Sequence, residues 1–128
     1  LAGAEEFRFV PNSTLGDFHA TGDVIALSTT PSDIRLKENI KNIESGLEII
    51  KQLRPVGYDW KHKKEHNSDF GLIAQEVEKI IPEIVTEKMV LFTRTEDLYK
   101  TVSYEKLIPF LIKSIQELTE EIEKLKQL

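Results

Sequence analysis

Placing Ile108 at the first position of a seven-residue repeat puts Ile115 and Ile122 at the same position, and Leu111, Leu118 and Leu125 at the fourth. Three heptads without a miss describe a helix whose apolar seam needs a second helix beside it. Charged residues fill most of the outer face after Glu117, so the seam is expected to meet other copies of the chain rather than its own domain. The spacing predicts a helix from Tyr104 to the end of the chain, with Ser103 as its cap. Ile at the first position with Leu at the fourth favours two parallel strands. Ile112 and Leu128 widen the apolar face in a way that suits three, and periodicity alone leaves both open.

The remaining 100 or so residues must then supply whatever the coil holds together. The chain has 128 residues, 40% of them apolar and 30% charged, which suits one folded domain with attached segments. A net charge of −5 gives no basic footprint for nucleic acid. Lys61, Lys63 and Lys64 form one tight basic cluster, but Asp59 and Glu65 flank it and it reads as solvated surface. No apolar run approaches the ~20 residues that cross a bilayer. The opening LAGAEEFRF carries acids where a secretory signal carries bases, so no targeting segment is expected. With no cysteine, disulfide and thiolate chemistry are excluded, and synthesis in a reducing cytoplasm fits.

Composition changes near residue 31. Before it lie four acids, one base, three Phe and three Gly. Phe7 and Phe9 alternate with polar neighbours and Val24 to Leu27 form a second short apolar run, both read as strands. Asn12-Ser13 and Leu15-Gly16-Asp17 read as turns. This stretch is too small to bury a core and reads as the end of a longer β structure. Thr29-Thr30-Pro31 is an extended connector, because a residue before proline avoids the α region.

After it the pattern is mainly helical. Ser45-Gly46-Leu47-Glu48 has the form of a capping box opening a helix through about Arg54, stopped by Pro55. Val56 to Trp60 reads as a strand, followed by a polar loop through Asp69. A second helix is expected from about Leu72 to Ile81, with Ile73, Val77, Ile80 and Ile81 on one face and Pro82 as its stop. Ile84-Val85, Met89 to Phe92 and Leu98 to Val102 are candidate strands paired as hairpins. The fold class is therefore α+β: helices with β-hairpins and a parallel C-terminal coiled coil.

Chemistry concentrates in Ser32-Asp33-Ile34-Arg35-Leu36-Lys37-Glu38-Asn39-Ile40. A neutral lysine amine can replace histidine as the base for a serine nucleophile. Bringing a lysine from ~10.4 to ~7 takes about 4.6 kcal/mol, and burial or a nearby cation such as Arg35 works in that direction. Five residues apart, Ser32 and Lys37 fall on different faces of a helix. Fully extended, their α-carbons lie roughly 17 Å apart. A shared site therefore needs a turn between them, or a lysine from another subunit. The bond at risk is Pro31–Ser32, since attack of the Ser32 hydroxyl on the Pro31 carbonyl closes a five-membered ring. Cleavage between Ser32 and Asp33 needs a strained four-membered ring. On the residues alone, one Ser and one Lys at this spacing is a common chance pairing.

That nonapeptide resembles the opening signature of the self-cleaving intramolecular chaperone domain of phage endosialidases, tail spikes, tail fibres and neck appendages. Tyr58-Asp59-Trp60-Lys61, then Phe70 to Glu78 (FGLIAQEVE), then Val102-Ser103-Tyr104 leading into Leu107-Ile108-Pro109 resemble it in the same order. The resemblance runs from Ser32 to about Leu125. It implies a homotrimer that registers three chains, assists folding of an upstream β fibre, and is released by Ser-Lys autoproteolysis. Ser32 would be the nucleophile and Lys37 the general base, with Asp33, Arg35 and Asn39 orienting the turn. The implied organisation is fibre end and connector at 1–31, chaperone domain at 32–106 and coiled coil at 107–128. The parent would be a virion component made in the host cytoplasm, from which the chaperone fragment is lost after cleavage. Membrane-bound eukaryotic transcription factors also carry such domains, but the β-rich segment before Ser32 and the ending at Leu128 favour a phage fibre.

The other constellations read as structure. His62 and His66, with Asp59 and Asp69 nearby, have i,i+4 spacing but sit in a polar loop, so no metal and no cofactor is expected. Ser103-Tyr104-Glu105-Lys106 matches S-x-x-K without its companion motifs. Tyr58 and Trp60 are expected to pack a core rather than bind sugar, and Gly71 to serve the turn into the second helix. No glycine-rich phosphate loop is present. The competing function is a non-cleaving trimerisation tip, which needs the coil and not Ser32 or Lys37.

Overall fold

The computed structural model describes residues 29–61, 68–90 and 93–128. The expected strands around Phe7, Phe9 and Val24–Leu27, the turns at Asn12 and Leu15, and His62 and His66 lie outside the described residues. The chain divides into two units, Leu1–Asp33 and Ile34–Leu128.

Within the second unit the architecture is α+β, with two antiparallel hairpins and a long last helix. The elements run α1 (Leu47–Ile50), β1 (Val56–Asp59), β2 (Ser68–Gly71), α2 (Ala74–Glu78), β3 (Val85–Met89), β4 (Leu98–Val102) and α3 (Ile108–Lys126), with 3₁₀ turns between several of them. Because hairpins fill so much of this unit, "mainly helical" describes only part of the stretch after Ser32.

α1 and α2 are shorter than their apolar stripes suggested, and α3 starts at Ile108 rather than Tyr104 but holds its whole heptad stripe. α1 has four residues, and its cap is Gly46 with no side-chain capping bond, so Ser45 does not form the expected capping box. The Gly46 N–H instead donates to the Glu117 carboxylate of α3 (2.8 Å). α2 keeps the predicted face, with Val77 and Ile81 buried and Ile73 and Ile80 half-buried. Pro82 ends the turn after α2 but also opens a 3₁₀ turn, Pro82–Ile84, that buries Ile84. A proline suits the first position of such a turn because its missing N–H would be unpaired there.

The hairpins differ from the expected strands at their edges. β1 pairs with β2 from Val56↔Gly71 to Asp59↔Ser68, so Ser68 and Asp69 are strand rather than loop. Polar cross-strand bonds hold this end: Ser68 Oγ donates to Asp59 (2.7 Å) and Trp60 Nε1 to Asp69 (3.2 Å). β3 and β4 pair from Val85↔Val102 to Met89↔Leu98. Thr86 to Lys88, passed over because it has no apolar run, completes the strand through Thr86–Thr101 (2.8 Å) and Glu87–Lys100 (3.2 Å) contacts. The ladder extends one step further, with the Ser103 N–H on the Ile84 carbonyl (2.8 Å).

Val77, Ile81, Ile84 and Leu107 form the buried core, flanked by Ile50, Leu53, Leu72, Val85, Val102 and Phe110. It is contributed by α1, α2, the β3–β4 hairpin and the start of α3. Tyr58 and Trp60 stand outside it: they meet edge-to-face at 5.1 Å and are half-buried on the β1–β2 hairpin. Ser103 precedes a 3₁₀ turn, Tyr104–Leu107, without a side-chain cap, and Pro109 then sits in the first turn of α3.

Candidate functional site

Two surfaces carry the functional question: the segment from Pro31 to Ile40, and the long side of α3. Pro31, Ser32 and Asp33 are exposed and belong to the first unit. Arg35, Lys37 and Asn39 are exposed and belong to the second. Between positions 32 and 37 the chain makes a 3₁₀ turn, Ile34–Leu36, closed by the Lys37 N–H on the Ile34 carbonyl (3.1 Å). Two residues on, Asn39 has φ 53°, the left-handed region that Asn tolerates better than most residues. Three large aliphatic side chains of this segment, Ile34, Leu36 and Ile40, lie 73%, 73% and 65% exposed.

Two stripes separate along α3 and the residue before it. Leu107, Phe110, Ser114 and Glu117 face the domain: Leu107 enters the core, Phe110 flanks it, and Ser114 is buried. Ser114 Oγ donates back to the Phe110 carbonyl (2.7 Å), which satisfies the hydroxyl in its buried position. Ile108, Leu111, Ile115, Leu118, Ile122 and Leu125 form the other stripe and are 45–64% exposed. The heptad residues are therefore not the ones that dock α3 on its own domain.

Sequence reasoning missed the small-residue contact that holds α3 in place. A Cβ on Gly46 would lie 2.5 Å from the Phe110 carbonyl oxygen and 2.7 Å from the Ser114 nitrogen, both backbone atoms. The signal was visible in principle, as a Gly before α1 and a Ser on the inner stripe of α3. Nothing local in the sequence joins two positions so far apart. Tyr104, expected only to open the last helix, makes a contact that the sequence does not announce. Its hydroxyl accepts the Leu72 N–H (2.9 Å), and a Cβ on Gly71 would meet that hydroxyl at 2.5 Å. Gly71 thus serves close approach within β2, not only the turn into α2.

Ionic contacts brace the outside of α2. Arg54 grips Glu76 through two bonds of 2.9 and 2.7 Å, which hold the Glu76 carboxyl below its ordinary range. Lys100 bridges Glu78 (2.8 Å) and Glu87 (3.2 Å), and those bonds raise the lysine above its ordinary value. Burial, followed by the Asp69 carboxylate and Tyr104, raises the Tyr58 phenol. These groups support the fold; none lies in the Pro31–Ile40 segment. Among the described residues no helix is long and apolar enough to cross a membrane.

Comparison with known proteins gives this geometry a class. Residues 32–86 match the family described as chaperone of endosialidase. The long tail fibre protein Gp37 of Enterobacteria phage M1 is 39% identical over 100 residues, covering 74% of this chain and 38% of that protein. Gp37 of Enterobacteria phage K3 is 31% identical over 133 residues, 95% of this chain and 10% of the relative. Gp37 of Enterobacteria phage T2 is 33% identical over 104 residues, 73% and 7% respectively. The chain thus spans well under half the length of these relatives. The match over residues 32–86 and these relatives support a phage C-terminal chaperone domain in this chain. A fibre-associated chaperone role is what these relationships support.

Proposed function

We propose that this chain is an intramolecular chaperone that brings three copies of itself together through α3, assists folding of an upstream phage fibre or spike, and is released by cutting Pro31–Ser32. The observation that carries the reading is the separation of stripes on α3. One stripe holds the domain, and the heptad stripe of Ile108, Leu111, Ile115, Leu118, Ile122 and Leu125 is left outward along 19 residues of helix. A helix that buries its other side internally and still carries an uninterrupted apolar seam is built to meet its own kind.

Joining three chain ends raises their effective concentration and fixes their register. Long β fibres benefit most, because their strands pair over large sequence separations and expose edges while folding. Removing the coil afterwards leaves a fibre whose unfolding is slow rather than reversible.

For the cut, two points support Ser32 and Lys37. The family match begins at residue 32, the position where we place the cleavage. A five-residue spacing requires a turn between the two residues, and a 3₁₀ turn, Ile34–Leu36, lies in that interval. In the reaction, the Ser32 hydroxyl attacks the Pro31 carbonyl carbon while Lys37 takes its proton. The Pro31–Ser32 C–N bond then breaks and the proton passes to the departing Ser32 nitrogen. This leaves an ester between the Pro31 carbonyl and the Ser32 oxygen. Water opens the ester, giving a carboxyl group at Pro31 and a free hydroxyl at Ser32. No metal or cofactor enters. Asp33, Arg35 and Asn39 shape the turn, with Asn39 suited to it by its left-handed φ.

Light scattering on the chain with more of its upstream fibre tests the assembly step. Three copies per particle are expected, and Leu111→Asp with Leu118→Asp should give single chains that remain uncut. A wild-type monomer would contradict the reading.

A further inference from the structure

The exposed stripe of α3 runs from Ile108 to Leu125, whereas the inner stripe that docks on the domain ends at Glu117, whose carboxylate takes the Gly46 N–H. In the heptad that starts at Ile108, the fifth and seventh positions flank the seam on either side. Ser114, at the seventh position, is buried against the domain and closed to a partner. One heptad on, Glu121 holds the same position and is exposed. On the other flank, Ile112, Thr119 and Lys126 are all exposed. Past Glu117 the flanks therefore carry one acid, Glu121, and one base, Lys126. Glu121 meets Lys124 of its own helix at 3.6 Å, with both side chains more than 60% exposed, a contact too loose to commit it.

Two such helices running in the same direction, with equal positions level, set each seventh-position residue against the fifth-position residue five places further along the neighbour. Five places on from Glu121 is Lys126. Helices running in opposite directions set fifth against fifth and seventh against seventh, so neither charge meets the other. Lys126 then lies beside Thr119 or Ile112, and Glu121 beside the covered Ser114. Sliding one copy by a heptad also parts the two charges, and it uncovers apolar seam at the ends. We propose that Glu121 of one copy pairs with Lys126 of the next, and that this contact selects copies running in the same direction with no offset. The inference rests on the proposed self-association through α3 and adds the polar contact that aligns it. The apolar seam supplies attraction with little sense of direction, and the charged pair supplies the discrimination.

Glu121→Lys and Lys126→Glu each place like charges on facing flanks. Each should weaken self-association of the full chain about tenfold at low salt, read by analytical ultracentrifugation. The two changes together should restore it. Mixing the two single variants should give mixed oligomers in preference to either kind alone, seen by native mass spectrometry, and about 1 M salt should erase the preference. Mixing reads the contact between chains, because a change confined to one helix favours no mixture. Since the chain has no cysteine, Leu125→Cys gives a second readout: level positions bring these thiols together, and oxidation should link two chains. Single variants that assemble like wild type and mix at random would overturn the pairing, as would Leu125→Cys oligomers that oxidise without linking. A wild type that stays single at every concentration would overturn the self-association reading and the pairing with it.

Discussion

Gly46 lies with its α-carbon against the backbone of α3, and its N–H ends on Glu117. Backbone atoms cannot move aside as a flexible side chain can, so Gly46→Ala should push α1 from α3. The expected loss is about 1–3 kcal/mol, read from urea denaturation; an unchanged midpoint would mean the contact is looser than described. Asn39 makes the opposite demand, for a residue that accepts positive φ. Asn39→Gly should keep the turn and the cleavage rate, whereas Asn39→Ala should destabilise the turn by about 1 kcal/mol and slow the cut. Equal rates for the two variants would remove Asn39 from the turn's requirements. The Glu76 carboxyl is held low chiefly by its hydrogen bond from Arg54. A lowered folded value means stability that is present above the ordinary 4.5 and lost as pH falls through the folded value. The melting temperature of wild type should therefore exceed that of Glu76→Gln at pH 7 and converge with it in acid. Lys100 has the opposite sign: its contribution holds below the ordinary 10.5 and is lost as pH rises beyond it.

At the scale of elements, the proposed function gives α3 two separable roles. Ile84→Ala, which opens the core beside the inner stripe, should lower domain stability by about 2–5 kcal/mol. Leu118→Asp, on the outer stripe, should dissociate the oligomer with little change in the helix signal of circular dichroism. If Leu118→Asp unfolds the domain, the outer stripe is part of the core after all. The heptad was legible in the sequence because a seven-residue repeat is local and survives without knowledge of partners. The α2 stripe and β4 were legible for the same reason. β2 was not, since Ser68 and Asp69 are poor strand formers held by bonds to Asp59 and Trp60 across the hairpin. Ser45 was misread as a cap because the capping box is also local, while the group that satisfies this helix start comes from Glu117. The nonapeptide around Ser32 was legible only through its resemblance to a family; spacing alone stated a need for a turn, and a 3₁₀ turn lies there.

For the whole molecule, two units meet in sequence at Asp33 and Ile34, two residues beyond the proposed cut, and the second carries the exposed heptad stripe on its longest helix. In the proposed reading the fibre comes first in the chain and the chaperone second, with the scissile Pro31–Ser32 bond just before the unit boundary, an order that suits a folding aid which outlives its use. The most direct test is intact mass on a chain carrying more upstream fibre, beside Ser32→Ala and Lys37→Ala. Wild type should split at Pro31–Ser32 into two fragments whose masses sum to the chain plus one water, and both variants should stay whole. A wild type that remains one piece as a stable trimer would make this domain a permanent assembly tip, and would contradict the assignment of Ser32 and Lys37.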